Sequence, residues 1–139
     1  LAKSDSHIRT PYIYKNLNYL KRNDFKVFKN KKSIFAMTAH IIFSKIDPTY
    51  TVTHSKKLIN IIRNEINFKN LIISDDISMK SLKFSILTNT QKAFQAGCNL
   101  VLHCNARMSE MKVVAENSPK LDNFLLKKTL EFYKLVNIK

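Results

Sequence analysis

The sequence predicts an α/β fold built on a parallel sheet, on three observations. Short apolar runs stand at 34–43, 71–73 and 100–102, and stretches of helical periodicity separate them. The runs are near-continuously apolar, as in strands buried on both faces, and strands that alternate with helices pair in parallel. A length of 139 residues suits one domain over 1–139, with a core of its own.

The elements follow in order. A helical piece is expected near residues 16–22, then a first strand over Ile34-Phe35-Ala36-Met37-Thr38-Ala39-His40-Ile41-Ile42-Phe43. Ser55 suits the N-cap of a helix whose apolar stripe is Leu58, Ile59, Ile62 and Ile66. The second strand, Leu71-Ile72-Ile73, ends abruptly in Ser74-Asp75-Asp76. A helix is expected from about Met79 to Ala96, with Leu82, Ile86, Ala93 and Phe94 inward, and Gly97 stands where a helix stop needs a left-handed residue. Leu100-Val101-Leu102 makes the third strand. Ser118-Pro119 is a cap and first-turn pair for a last helix that turns Leu121, Phe124, Leu125 and Phe132 inward.

Composition excludes several classes. Lys+Arg number 24 against 10 Asp+Glu, a net charge of +14, but the basic residues are spread along the chain. Nucleic-acid binders concentrate charge and interleave aromatics for stacking, so no nucleic-acid partner is expected. The richness in Lys, Asn and Ile matches AT-rich codons, and a single glycine fits the same compositional drift. No apolar run approaches the roughly 18 residues of a membrane span. Leu1–His7 holds no secretory signal region, and Cys98 and Cys104 match no disulfide framework or zinc template. A reducing, cytoplasmic setting is the expectation, with no metal and no membrane partner. A phosphate-cradling glycine loop is excluded, since there is one glycine.

In α/β folds chemistry gathers at the carboxyl ends of the strands, so attention falls on His40, Asp75 and His103. From position alone, Asp75 and Asp76 serve equally as site carboxylates or as cap and turn residues. Asp5-Ser6-His7 offers a carboxylate two residues from an imidazole, able to hold its tautomer and raise its basicity; a solvated loop is the plainer reading. His40 is a third candidate, beside the alternative of a satisfied structural histidine. His54 and His103 read as structural, and Cys104 as a small buried apolar residue rather than a nucleophile.

Taken in order, Ser4-Asp5-Ser6-His7, Asn23-Asp24-Phe25-Lys26-Val27-Phe28, Met37-Thr38-Ala39-His40-Ile41, Phe68 to Met79, and Ala93 to Leu102 resemble successive landmarks of family 3 glycoside hydrolases. The resemblance is to the bacterial β-N-acetylglucosaminidase branch of peptidoglycan recycling, and covers about residues 4–105. It implies a (β/α)8 TIM barrel that hydrolyses terminal β-linked N-acetylglucosamine from muropeptides with retention, without metal or cofactor. It assigns the nucleophile to Asp75, the acid/base to His7 and support of that imidazole to Asp5. A carboxylate attacking the anomeric carbon suits a covalent glycosyl-enzyme, and an imidazole titrating near neutrality suits a group that first donates and then removes a proton.

The resemblance also implies that 1–139 is the C-terminal half of the barrel, since the family's Lys-His-Phe-Pro-Gly-His-Gly-like strand and turn would precede Ser4. Three strands do not close a barrel, which typically takes about 250 residues, so the chain is expected to be incomplete alone. Exposed sheet edges then invite self-association or a complementary N-terminal half. Thr51-Val52-Thr53-His54-Ser55 departs from the family's Pro-Ala-Thr-Leu-Ser-like segment. The competing reading is an inactive remnant.

Overall fold

A computed structural model of the chain describes residue 5 and residues 8–137. Among the described residues five strands and five α-helices run in the order β1 (Tyr12–Ile13), α1 (Leu17–Arg22), β2 (Phe35–Met37), β3 (Ile42–Phe43), α2 (Lys56–Asn64), β4 (Leu71–Asp76), α3 (Ile86–Ala96), β5 (Leu100–Leu102), α4 (Met108–Glu116) and α5 (Asn123–Val136). All pairings are parallel: β2-β4-β5 form a three-stranded sheet with β4 central, and β1-β3 a two-stranded ribbon. The α/β expectation therefore holds, and the three foreseen strands are the three of the main sheet.

The apolar run at 34–43 is not one strand. It leaves the main sheet after Met37 and resumes as β3 beside β1, with Tyr12 opposite Ile42. The break is polar: Thr38 and His40 are 4% and 0% exposed, and their side chains bond to Thr53 and Asp76 rather than extending a ladder. Buried polar groups need partners, and here those partners lie off the strand axis.

Helices α2 and α3 cover one face of the sheet. Ile59, Phe68, Ile72, Ala93, Ala96 and Cys98 form the core there, with Ala36, Ile62 and Val101 packed against it. Ser55 caps α2 as expected, accepting from the Leu58 amide at 3.2 Å while its own hydroxyl donates to Asp47 at 2.6 Å. Arg63 near the end of α2 donates to the Phe68 and Asn70 carbonyls and to Asn99 Oδ1, whose oxygen also accepts from the Ile72 amide. One guanidinium thus ties the amino ends of β4 and β5 to the helical layer.

Two helices differ from expectation. The segment 79–85 is turn and loop, and α3 starts only at Ile86, where Ser85 accepts from the Thr88 amide. The last helix begins at Asn123, capped by Asp122 at 2.7 Å from the Leu125 amide, while the Ser118 hydroxyl bonds back to Val114 at the end of α4. Of the four residues expected inward on it, Leu125 is buried; Leu121 is 69% exposed, and Phe124 and Phe132 are partly exposed. Phe132 meets Phe35 at the start of β2, edge to face at 5.2 Å.

The scarcity of glycine has a structural counterpart. Asn30, Asn67 and Ala106 take left-handed backbone at φ 55, 62 and 57°, where glycine is the usual choice. Gly97 keeps the one helix stop where space also forbids a side chain: at φ 113° its added Cβ would lie 3.0 Å from Ile59 Cγ2 in the core. Gly97→Ala is expected to cost about 2 kcal/mol through backbone strain and displacement of Ile59. Urea unfolding checks it; a change under about 0.5 kcal/mol refutes the packing argument.

Candidate active site

The carboxyl ends of β2, β4 and β5 meet at one edge of the sheet, and the Ser74-Asp75-Asp76 triplet sits at its centre. Between the pairs Ile73–Leu100 and Asp76–Leu102, β4 carries one residue more than β5, so a bulge falls at Ser74–Asp75. Bulges re-aim side chains and recur beside active sites. Ser74, fully buried, fills the gap: its hydroxyl accepts from the Leu102 amide at 2.9 Å in place of a ladder carbonyl.

Asp76 is wholly engaged. Its Oδ1 accepts from the Ser78 amide at 3.0 Å and hydroxyl at 2.8 Å and from the Cys104 amide at 3.1 Å, and Oδ2 lies 2.8 Å from the same hydroxyl. Its carbonyl accepts from His40 Nε2 at 2.8 Å. A carbonyl only accepts, so Nε2 carries the ring proton and Nδ1 is bare. The Thr53 hydroxyl donates to Nδ1 at 2.8 Å, and the Thr38 hydroxyl donates to Thr53 at 2.9 Å. Burial outweighs the Asp76 carbonyl and the Asp75 and Asp76 charges, holding His40 below its ordinary pKa of 6.5, in agreement with this neutral tautomer.

Asp75 differs from both neighbours. It is half-buried, and among the described residues its carboxylate accepts one hydrogen bond, from the Asp76 amide at 2.9 Å. The outer residues of the triplet are spent on structure, and the middle one is left with acceptor capacity at the strand end. Sequence position did not separate the two aspartates; their partners do.

Asp5 is exposed, and its carbonyl accepts from the Ile8 and Arg9 amides, each at 3.2 Å. The segment after it is joined to the loop beyond β4 by Thr10, whose hydroxyl donates to the Ser81 carbonyl. His7 lies outside the described residues. His103, at the end of β5, pairs with Glu110 at 2.9 Å, and Asn105 and Arg107 also bond to that carboxylate. The His103 bond, first among these contacts, lowers the Glu110 pKa. This cluster was missed because α4 was not foreseen. Ser78 was missed too, although Asp followed two residues later by Ser is a side-chain-closed turn pattern.

Cys104 is exposed rather than buried, a correction to the expectation for it. Its amide is held by Asp76, so the loop turns the side chain outward. Desolvation, then the Asp76 and Asp75 charges, raise its thiol pKa, which opposes a nucleophilic role. Among the described residues no group of three or more His, Cys, Asp or Glu side chains is placed to hold a metal ion, and no helix is long and apolar enough to cross a membrane.

The chain resembles known proteins along most of its length. The model of the Glycosyl hydrolase family 3 N terminal domain matches residues 2–127. A Beta-hexosaminidase of Nitrosomonas eutropha is 35% identical over 108 residues, covering 74% of this chain and 31% of the relative. One from Psychromonas ingrahamii is 30% identical over 138 residues, covering 95% of this chain and 39% of the relative. The chain therefore spans less than half the length of these relatives. Among solved structures, zinc-bound CbsA from Thermotoga neapolitana aligns with a TM-score of 0.74 and 29% identity, covering 95% of this chain and 28% of that one. NagZ from Neisseria gonorrhoeae shares the fold with a TM-score of 0.78 at 24% identity, covering 100% of this chain and 44% of that one.

Two outcomes follow. Asp76→Ala should lose about 2 kcal/mol of stability, because it orphans the Ser78 and Cys104 amides, while Asp75→Ala stays within about 0.5 kcal/mol; equal losses in urea melts would refute the division of roles. The second concerns pH. Burial, then His40, hold His54 down from 6.5 to about 4, so between those values the unfolded chain binds a proton that the folded chain does not. Stability is full above about 6.5 and falls by on the order of 3 kcal/mol as pH drops to about 4, and His40 acts in the same direction. His54→Gln should flatten that slope, read from unfolding midpoints at pH 7 and pH 4.5.

Proposed function

This chain belongs to glycosyl hydrolase family 3, and on that premise we propose that it carries the nucleophile half of a retaining β-N-acetylhexosaminidase barrel. Its substrate is terminal β-linked N-acetylglucosamine on peptidoglycan-derived muropeptides, and its setting is the cytoplasm. The observation that carries the reading is the state of Asp75: a carboxylate at the carboxyl end of the central parallel strand, beside a bulge, whose flanking Ser74 and Asp76 are both committed to structure. Active sites of barrel enzymes are built at that face.

In the proposed reaction a carboxylate oxygen of Asp75 attacks the anomeric carbon as the glycosidic C–O bond breaks, through an oxocarbenium-like transition state. The His7 imidazolium gives its proton to the departing oxygen. The neutral imidazole then takes a proton from water, which attacks the glycosyl-enzyme and releases Asp75 as a carboxylate. Asp5 favours the imidazolium by its charge and holds the ring's tautomer. His40, Thr53 and Asp76 keep the strand end still beneath Asp75, so that the attacking oxygen costs little reorganisation at the moment of reaction.

The outer edges of β2 and β5 have no strand neighbour among the described residues. They fit the remaining strands of a barrel, supplied by a complementary N-terminal half or by a second copy.

Hydrolysis of a chromogenic β-N-acetylglucosaminide, by the chain alone and mixed with a complementary half, tests the proposal. Asp75→Ala should reduce activity to background, and His7→Ala should cost roughly 10²–10⁴-fold. Absence of hydrolysis from a soluble, cooperatively unfolding chain under both conditions would leave the inactive-remnant reading standing.

A further inference from the structure

A cleft of about 430 Å³ opens between the loop that follows β4 and the loop that follows β5. That size falls within the roughly 300–1,000 Å³ typical of ligand clefts. Ser78, Met79 and Lys80 line it from the first loop, Asn105, Arg107 and Glu110 from the second, and Phe84, 46% exposed, adds an apolar wall. Both loops are anchored to the residue beside Asp75: the Ser78 hydroxyl and the Cys104 amide each donate to the Asp76 carboxylate. The cleft therefore stands at the carboxyl ends of the strands, the face on which Asp75 lies.

The charges that line the cleft differ in how far they are committed. Glu110 is engaged: its Oε2 accepts from His103 at 2.9 Å and from Asn105 at 2.6 Å. Arg107 is fixed at its backbone, where Asn105 Oδ1 accepts its amide at 3.0 Å beside the left-handed Ala106. Its side chain is 72% exposed and reaches Glu110 Oε1 only at 3.4 Å, beyond ordinary N–H···O lengths. Lys80 is exposed, and among the described residues no carboxylate pairs with it. Two accessible cations from two loops, against one carboxylate already satisfied, leave the cleft positive and rich in unmet donors. A carboxylate is the complement, and a guanidinium binds one through two parallel N–H···O bonds.

We propose that this cleft is the leaving-group subsite of the hydrolysis proposed above, a reading on which it rests, and that Arg107 and Lys80 bind a carboxylate of the departing muropeptide. Neither residue touches the reacting bond; they decide which aglycone is held while Asp75 engages the sugar. An acidic aglycone gains charge-assisted contacts that a neutral one of the same shape lacks, so discrimination comes from charge rather than from fit. The carboxylate belongs either to the lactyl ether of muramic acid or to the peptide carried on it.

The labelled full chain is titrated at neutral pH and constant ionic strength with N-acetylmuramic acid, and with N-acetylmuramoyl-alanyl-isoglutamine, whose single carboxylate ends the peptide. Each is compared with its methyl ester, following the Arg107 side-chain Nε–H and the Ser78, Lys80 and Asn105 amides by NMR. At least one acid should give saturable shifts there, with its ester at least fivefold weaker, and the tighter acid names the source of the carboxylate. Arg107→Gln and Lys80→Gln, both at exposed positions, should each weaken that acid at least threefold. Lys31→Gln, ahead of β2 at the amino end of the sheet, should leave it unchanged. Acid and ester bound alike, shifts that never saturate, or equal weakening by Lys31→Gln overturns the proposal and leaves diffuse attraction by a chain of net charge +14. The two readings fail separately. Hydrolysis that depends on Asp75, with acid and ester bound alike, removes the subsite alone. Acid-selective binding without hydrolysis, by the chain alone and with a complementary half, removes the catalytic reading and leaves a carboxylate site.

Discussion

Asp76 joins the ends of three strands, and the geometry of the site rests on that junction. Its carbonyl takes the His40 imidazole from the segment after β2, and its carboxylate takes the Ser78 amide and hydroxyl and the Cys104 amide from beyond β4 and β5. These bonds are charge-assisted or shielded from water, the conditions under which hydrogen bonds restrain most strongly. With Ser74 closing the bulge on the other side, the backbone on both flanks of Asp75 is held, while among the described residues its carboxylate accepts a single hydrogen bond. Preorganisation of this kind suits the nucleophilic role proposed for Asp75.

A second layer keeps that junction in one state. Thr38, Thr53 and His40 form a directional chain of donors in which each hydroxyl has one consistent orientation, because the imidazole has one bare nitrogen. The chain runs through the segment that parts β2 from β3, so the break in the strand and the restraint on the site are one feature. His54 is held neutral by burial close by, and the two histidines make this end of the molecule sensitive to acid.

The opposite end of the sheet is built for stability. Arg63 gathers the Phe68 and Asn70 carbonyls and Asn99, and Gly97 lets α3 end tightly against Ile59. Function at the carboxyl ends and structural pinning at the amino ends is the division expected of parallel β/α architecture.

Local patterns in the sequence determined the main sheet, the Ser55 cap, the Gly97 stop and the α/β class. Each depends on a few adjacent residues: the continuous run Leu71–Ile73, a serine before a helical stripe, a glycine after one. The motif resemblance picked out Asp75, His7 and Asp5 without placing them. Tertiary structure alone decided what the pattern left open. Helix α4 starts after Arg107 without a side-chain cap and buries none of its apolar residues, so no cap signal or core face marked it, and with it the Glu110 partner of His103 stayed hidden. The run 34–43 is apolar apart from Thr38 and His40, and only Thr53 and Asp76, distant in sequence, give those two side chains the partners that part it into two strands. Asp75 and Asp76 are chemically identical neighbours, and what separates them is the Ser78 turn that closes on Asp76 together with the Cys104 amide 28 positions away. Periodicity records burial along one element; the role of a polar side chain is set by partners that only the closed fold brings within hydrogen-bond reach.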